Sequence, residues 1–233
     1  MDNGWEDSAA AWIASQGDAG DFSRAFVLDE PMLARVRAAK PQRALDVGCG
    51  EGRFVRMLKA EGVETVGLDP TPSLVAEARR LDPVGAYVEG RAEALPFADE
   101  SFDLVVAYLS LIDIPDYQAG IAEMVRVLSK SGLLLIANLT GHATARVEPQ
   151  TTPEGDFLFR IDHYHQERAT WEAWRGIRIL NHHRPLSAYM QALLGHGLTL
   201  THFDEPKPSG GPTAKAERYT RVPWHLIMEW RKG

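Results

Sequence analysis

Leu45-Asp46-Val47-Gly48-Cys49-Gly50-Glu51-Gly52 is the stretch whose reading decides the fold. Residues 44–48 read as a first strand. Residues 53–61 place Phe54, Val55, Met57 and Leu58 at helical spacing, with Gly62 suited to a C-cap. Three glycines at alternate positions thus join a strand directly to a helix. Glycine lets the backbone turn sharply there and leaves no Cβ in the path of a ligand. In an open α/β sheet this is the mouth at the carboxyl ends of the strands, where such folds bind ligands.

Outward from this turn, short apolar runs alternate with helical patterns, the signature of βαβ units and a parallel sheet. Residues 65–69 read as a second strand. Thr71 and Pro72 read as N-cap and first residue of a helix reaching about Leu81. Strands follow at 86–88 and 102–107, then a helix over 116–128 stopped near Gly132. Residues 133–137 form the most apolar run, expected as an interior strand buried on both faces. Residues 140–184 break the pattern with Pro149, Pro153, Gly155 and aromatic, strand-like stretches. A helix over 185–194, a strand near 198–203 and a last strand over 222–230 complete the chain, and two helical patterns at 5–16 and 31–40 precede the sheet. The expectation is a single α/β domain with a doubly wound, mostly parallel sheet. It has a helical cap (1–40), a ligand-binding core (41–139), a lid or substrate insertion after the fifth strand (140–184) and the remainder of the core (185–233).

Composition narrows the function classes. The 233 residues are 45 % apolar and 24 % charged, as in a globular protein rather than a disordered one. No apolar run is long enough to span a bilayer. The acidic start Met1-Asp2-Asn3-Gly4-Trp5-Glu6-Asp7 lacks the basic and apolar parts of a signal peptide, so a cytoplasmic protein is expected. A net charge of −7 argues against nucleic acid, whose affinity comes from Lys and Arg on phosphates. Cys49 is the single cysteine, which excludes an intramolecular disulfide and a thiolate-rich metal site.

The acids around the glycines select the ligand. A dinucleotide fingerprint needs glycine at position 53, which is Arg53, and a P-loop needs Lys followed by Ser or Thr after its last glycine. Asp46 before the turn and Glu51 within it would repel a pyrophosphate but suit a cation. Asp69, at the end of the second strand, can accept both hydroxyls of a ribose diol. The ligand implied is a nucleoside without phosphates and with positive charge at its other end, a description that S-adenosylmethionine fits.

At these residues the chain resembles the class I S-adenosylmethionine-dependent methyltransferases, in particular the small-molecule group. Residues 45–52 are similar to the family's nucleotide loop, and Gly67-Leu68-Asp69-Pro70 to its ribose-binding strand end. Arg91-Ala92-Glu93-Ala94-Leu95-Pro96-Phe97, with Ser101-Phe102-Asp103-Leu104-Val105, is similar to the adenine loop and fourth strand. Val125-Arg126-Val127-Leu128 with Gly132-Leu133 matches the next helix and strand. The resemblance implies a seven-stranded Rossmann-like sheet and S-adenosylmethionine as methyl donor, with S-adenosylhomocysteine as product. It also implies site roles. Gly48, Cys49 and Gly50 would lie along the methionyl part and ribose, and the backbone beside Asp46 would receive the ammonium. Asp69 would hold the diol, Pro70 would lie against the adenine, and Ala92 and Glu93 would frame its edge. Arg91 stands where the family often has Asp, so the acidic adenine contact falls to Glu93 or to a backbone carbonyl. Arg24 is a candidate for the cofactor's carboxylate, or a solvated helix arginine.

Methyl transfer needs alignment and exclusion of water more than a dedicated acid or base. All eight histidines follow residue 141 and four of six tryptophans follow residue 170, so the later segments are expected to build the substrate pocket. His142, His165 and His183 are candidate bases, each equally readable as a structural hydrogen-bond partner, and His163 and His165 would share one face of a strand. Tyr108 is a candidate both for catalysis and for facing the sulfonium. Ser110 and Asp113 follow it. Trp171 and Trp174 read as core, and no metal is expected. The acceptor is expected to be a small molecule methylated at oxygen or nitrogen by a monomer or homodimer. The alternatives are an RNA or protein methyltransferase and a catalytically silent binding module; a nicotinamide dehydrogenase is disfavoured by Arg53 and the neighbouring acids.

Overall fold

The structure, a computed structural model, describes residues 3–17, 19–148 and 151–233; the loop signal at Pro149 and the first two residues lie outside them. In chain order the elements are α1 (Trp5–Gln16), a π-helical turn (Arg24–Leu28), α2 (Asp29–Ala39), β1 (Arg43–Val47), α3 (Arg53–Ala60), β2 (Glu64–Asp69), α4 (Pro72–Leu81) and β3 (Ala86–Glu89). They continue with β4 (Phe102–Tyr108), α5 (Tyr117–Val127), β5 (Leu128–Leu139), α6 (Gly141–Thr144), β6 (Arg168–Trp174), β7 (Ile177–His183), α7 (Leu186–Gly195), β8 (Thr199–Asp204), α8 (Thr213–Arg221) and β9 (His225–Arg231).

Seven strands form one sheet in the order β3-β2-β1-β4-β5-β9-β8. The first five run parallel, while β9 is antiparallel to both β5 and β8. The pleat sends alternate residues to opposite faces. On β4, Val105 and Ala107 pack with α5 and α7 through Ile121, Met124, Tyr189 and Leu193. Leu104, Val106 and Tyr108 pack on the other face with Met32, Val36, Phe54 and Leu58. Helices therefore cover both faces, as the apolar strands require. The chain winds outward from β1 to β3 and returns to place β4 on the other side of β1. That reversal opens a crevice at the carboxyl ends of β1 and β4.

Several local expectations change. Thr71 occupies the N-cap position, but its side chain makes no capping bond. Glu6 of α1 caps α4 from outside, accepting from the Ser73 amide (3.2 Å) and the Ser73 hydroxyl. Asp116 does cap α5, accepting from the Ala119 amide. The last strand starts at His225 rather than near 222, because α8 occupies the preceding residues; α8 has no fully buried residue and rests on the core through Ala216 and Tyr219 alone, too little to read as an apolar stripe. Residues 163–165 are a turn, not a strand. The Asp162 carboxylate accepts the His163 amide (2.7 Å), His163 sits at φ 51°, and Gln166 N–H closes on the His163 carbonyl (3.0 Å). His163 and His165 therefore share no strand face. Trp171 and Trp174 are not core either, being 40 % and 41 % exposed. The β6–β7 hairpin stands apart from the main sheet. It buries Ile177 and Ile179 of β7 against Ala9 and Trp12 of α1, and its outer strand faces solvent.

Candidate active site

β1 delivers Asp46 to the crevice, buried to 1 % exposure. Beyond it the chain reverses: the Gly48 and Cys49 amides donate to the Leu68 carbonyl (2.7 and 3.0 Å), and Gly52 N–H donates to the Cys49 carbonyl (3.0 Å). Gly48 has φ 79°, and a Cβ built there would lie 2.4 Å from Ser110 Cβ, so the turn needs glycine on two counts. Ser110 is itself fixed, donating its hydroxyl to the Val47 carbonyl (2.6 Å). Asp69, at the end of β2, accepts the Gly50 amide at Oδ2 and the Thr71 amide at Oδ1, both 2.9 Å. Each of its oxygens keeps a lone pair for a further donor.

The N-terminal cap closes over this turn. Trp12 Nε1–H donates to Glu51 Oε2 (2.8 Å). Arg24 lies over the Trp12 ring (4.8 Å) and the Tyr108 ring (5.7 Å), paired with Asp21 (3.1 Å). Arg53, the residue that breaks the dinucleotide pattern, is structural: its guanidinium grips the Asp29 carboxylate and donates to the Ala19 carbonyl (2.9 Å). Asp29 also accepts the Tyr108 hydroxyl (2.8 Å). Across the crevice Arg91 pairs with Glu93 (3.0 Å), which leaves Glu93 the acid on that side.

These residues enclose one cavity of about 260 Å³. Arg24, Asp46, Gly48, Cys49, Gly50, Asp69, Pro70, Ala92, Glu93 and Tyr108 all line it, with Trp5, Trp12, Glu51, Arg91, Ser110 and Asp113. Its electrostatics are unusual. Burial, then the nearby Asp69 and Glu51 carboxylates, pushes the Asp46 carboxyl up to about 8. Asp46 Oδ1 has no hydrogen-bond partner. Burial also raises Asp69, against the pull of its backbone donors, and raises the Cys49 thiol and Tyr108 phenol well above their ordinary values. A buried carboxyl without a cation is costly and calls for one. Among the described residues no His, Cys, Asp and Glu cluster could hold a metal ion, and no helix is long and apolar enough to cross a membrane.

The three candidate histidines are not brought to the cavity. They gather instead around Tyr164 in the insertion, His142 at 5.4 Å, His165 at 5.4 Å and His183 at 5.9 Å between ring centroids. His183 uses both ring nitrogens: Nε2–H donates to the Tyr164 carbonyl (2.9 Å), and Nδ1 accepts the Thr144 hydroxyl (2.7 Å). Among the described residues none from 140–184 lines the cavity; the cap supplies that wall. Trp5 and Trp12 line it without having been singled out as site residues, whereas Glu51 and Asp113 were named beside the turn and after the fourth strand. The acids were visible in the sequence, but no sequence signal shows which face of α1 covers the glycine turn.

The doubly wound sheet with an acid-rich glycine turn at its switch point has the Rossmann-like methyltransferase fold. Residues 45–136, about two fifths of the chain, match the family model described as a methyltransferase domain. The chain is 34 % identical over 110 residues to malonyl-[acyl-carrier protein] O-methyltransferase of Enterobacter lignolyticus (47 % of this chain, 44 % of that protein). It is 39 % identical over 103 residues to demethylmenaquinone methyltransferase of Beutenbergia cavernae (44 % and 43 %). The chain thus spans less than half the length of these relatives. The fold extends further: an S-adenosylmethionine-dependent methyltransferase from Mesorhizobium loti superposes with TM-score 0.78 at 24 % identity over 93 % of this chain and all of that one. A putative one from Listeria monocytogenes gives 0.76 at 22 % identity, over 88 % and 97 %.

Proposed function

We propose that the chain transfers the methyl group of S-adenosylmethionine to an oxygen or nitrogen of a small-molecule acceptor, as a cytoplasmic monomer or homodimer. Cap, core, insertion and closing segment act as one domain. The observation that carries this reading is Asp46, a buried carboxyl with an unpartnered oxygen close to Gly48, where Ser110 leaves no room for a side chain. Its counterpart is a cation, the ammonium of the methionyl part. The spare lone pairs of Asp69 suit the ribose hydroxyls, Pro70 and Ala92 suit the adenine faces, and Glu93 suits its edge. Arg24 suits the cofactor's carboxylate and Tyr108 the cationic sulfur. Once bound, the cofactor supplies a methyl group already activated by its sulfonium. What the chain adds is alignment and a dry site, and alignment of this kind is worth up to roughly 7–11 kcal/mol. The names of the relatives, for malonyl-[acyl-carrier protein] and for demethylmenaquinone, support a small acceptor group over nucleic acid.

Calorimetry with S-adenosylhomocysteine tests the reading. The wild type is expected to bind it, and Asp69→Ala to bind roughly 10- to 100-fold more weakly, the loss of one or two charge-assisted hydrogen bonds. An Asp69→Ala variant that binds as tightly as wild type would remove the diol role. Retention of NADH in place of the thioether would remove the whole assignment.

A further inference from the structure

We propose that Asp113 sets acceptor specificity, as the charge partner of a cationic or N–H-bearing nitrogen, so that the acceptor class is an amine rather than a carboxylate. The inference rests on the methyltransferase reading. The argument begins with the fate of each acid in the cavity. Glu51 is taken by Trp12, Glu93 by Arg91, and Asp69 by two backbone amides. Asp46 and Asp113 make no ion pair, and of the arginines Arg24 alone acts on them from a distance. Asp46 belongs to the glycine turn and so to the cofactor's single amino group. Asp113 lies elsewhere, on the loop that follows β4, four residues beyond Leu109, which has φ 57°. It is thus a second cavity acid, partly exposed there, for which the cofactor's ammonium is already spoken for.

Its setting is built rather than incidental. Asn181 Nδ2–H of β7 donates to Asp113 Oδ1 (2.5 Å), and the Trp5 indole of α1 is a further donor. His182 N–H of β7 donates to the Ile112 carbonyl (2.7 Å). The buried guanidinium of Arg184 donates to the carbonyls of Leu111 (2.9 Å), Ile114 (2.7 Å) and Pro115 (3.0 Å). The loop is therefore clamped on both sides of Asp113 by positioning residues, Asn181 and His182 of β7 and Arg184 just beyond it, and these bonds fix where the carboxyl stands. Burial, with the Asp69 carboxylate adding and Asn181 and Arg24 opposing, carries the Asp113 carboxyl up to about 8. A cationic partner would draw the proton off this carboxyl and pair with the carboxylate, a gain that an anionic partner does not offer.

The test uses two probes of nearly the same shape and opposite charge, tyramine and 4-hydroxyphenylacetate, titrated into full-length protein saturated with S-adenosylhomocysteine. Tyramine is expected to bind at least tenfold more tightly than the acid. Asp113→Asn should lower tyramine affinity about tenfold while S-adenosylhomocysteine affinity stays within threefold, and Asp113→Lys should reverse the preference. Equal binding of the two probes, no binding of either, or an unchanged ratio in Asp113→Asn overturns the proposal. Failure of the wild type to bind S-adenosylhomocysteine would overturn the cofactor assignment instead, and that arm is read before the probes are added.

Discussion

Gly48→Ala is expected to cost about 3 kcal/mol or more of stability and to abolish measurable binding of S-adenosylhomocysteine. Two effects add. An L-residue held at φ 79° carries a backbone penalty of roughly 1–2 kcal/mol. The new methyl group would also sit 2.4 Å from Ser110 Cβ, an atom fixed to its own backbone and unable to swing aside as a long side chain could. Overpacking of that kind costs typically 1–3 kcal/mol. Relief would move Ser110 away from the Val47 carbonyl and displace the loop that carries Asp113. Thermal unfolding and calorimetry together check the result; a variant with wild-type melting temperature and affinity would show that the turn is not as tightly built as described. Gly50→Ala separates the two effects, because a Cβ there meets only Trp12 Nε1 at 3.8 Å and the backbone penalty acts alone.

Asp46→Asn is expected to stabilise the ligand-free protein at alkaline pH while weakening the cofactor. In the fold the Asp46 carboxyl titrates at about 8 against an ordinary 3.8. Between those values the folded state holds a proton that the unfolded state has lost, so stability falls as pH rises through the window. The advantage is fully present below about 3.8 and has gone above about 8. Carrying a carboxyl that far corresponds to a cost on the order of 5 kcal/mol when fully ionised, shared with the neighbouring Asp69 and Glu51. Asparagine cannot ionise, so the variant's melting temperature should exceed that of wild type at pH 8 and approach it at pH 5. Binding a cation favours the ionised carboxylate, so the wild type should take the cofactor more tightly at pH 8 than at pH 6, and the variant should lose that trend. A variant whose melting temperature tracks wild type across this range would show that Asp46 ionises freely and is not the buried charge described.

The parts of this molecule that the sequence discloses are those made by neighbours along the chain. Asp46, the three glycines and Asp69 lie at strand ends joined by short turns, so their juxtaposition follows once the strands are seen. The apolar run at 133–137 shows an interior strand because both its faces are buried. Contacts between distant segments leave no such trace. Trp12 reaches Glu51 across 39 residues and Tyr108 reaches Asp29 across 79, and nothing in a helical pattern says which surface it will cover. The histidines mislead for a related reason. Their crowding after residue 141 is a fact about a segment, whereas their distance from the cavity follows from a turn set by Asp162 and from a hairpin that docks on α1. Arg53 likewise reads as the wrong residue for a dinucleotide, and only the three-dimensional contact with Asp29 shows what it is for.

Asp29 holds Arg53 at the start of α3 and Tyr108 at the end of β4 with a single carboxylate. That one side chain ties the leading segment to a later helix and a later strand, alongside the contacts of Glu6 with Ser73 and of Trp12 with Glu51. Removal of the opening thirty residues takes away Trp5, Trp12 and Arg24 along with Asp29, so a chain trimmed there is expected to keep a half-roofed pocket and to show no binding of S-adenosylhomocysteine by calorimetry.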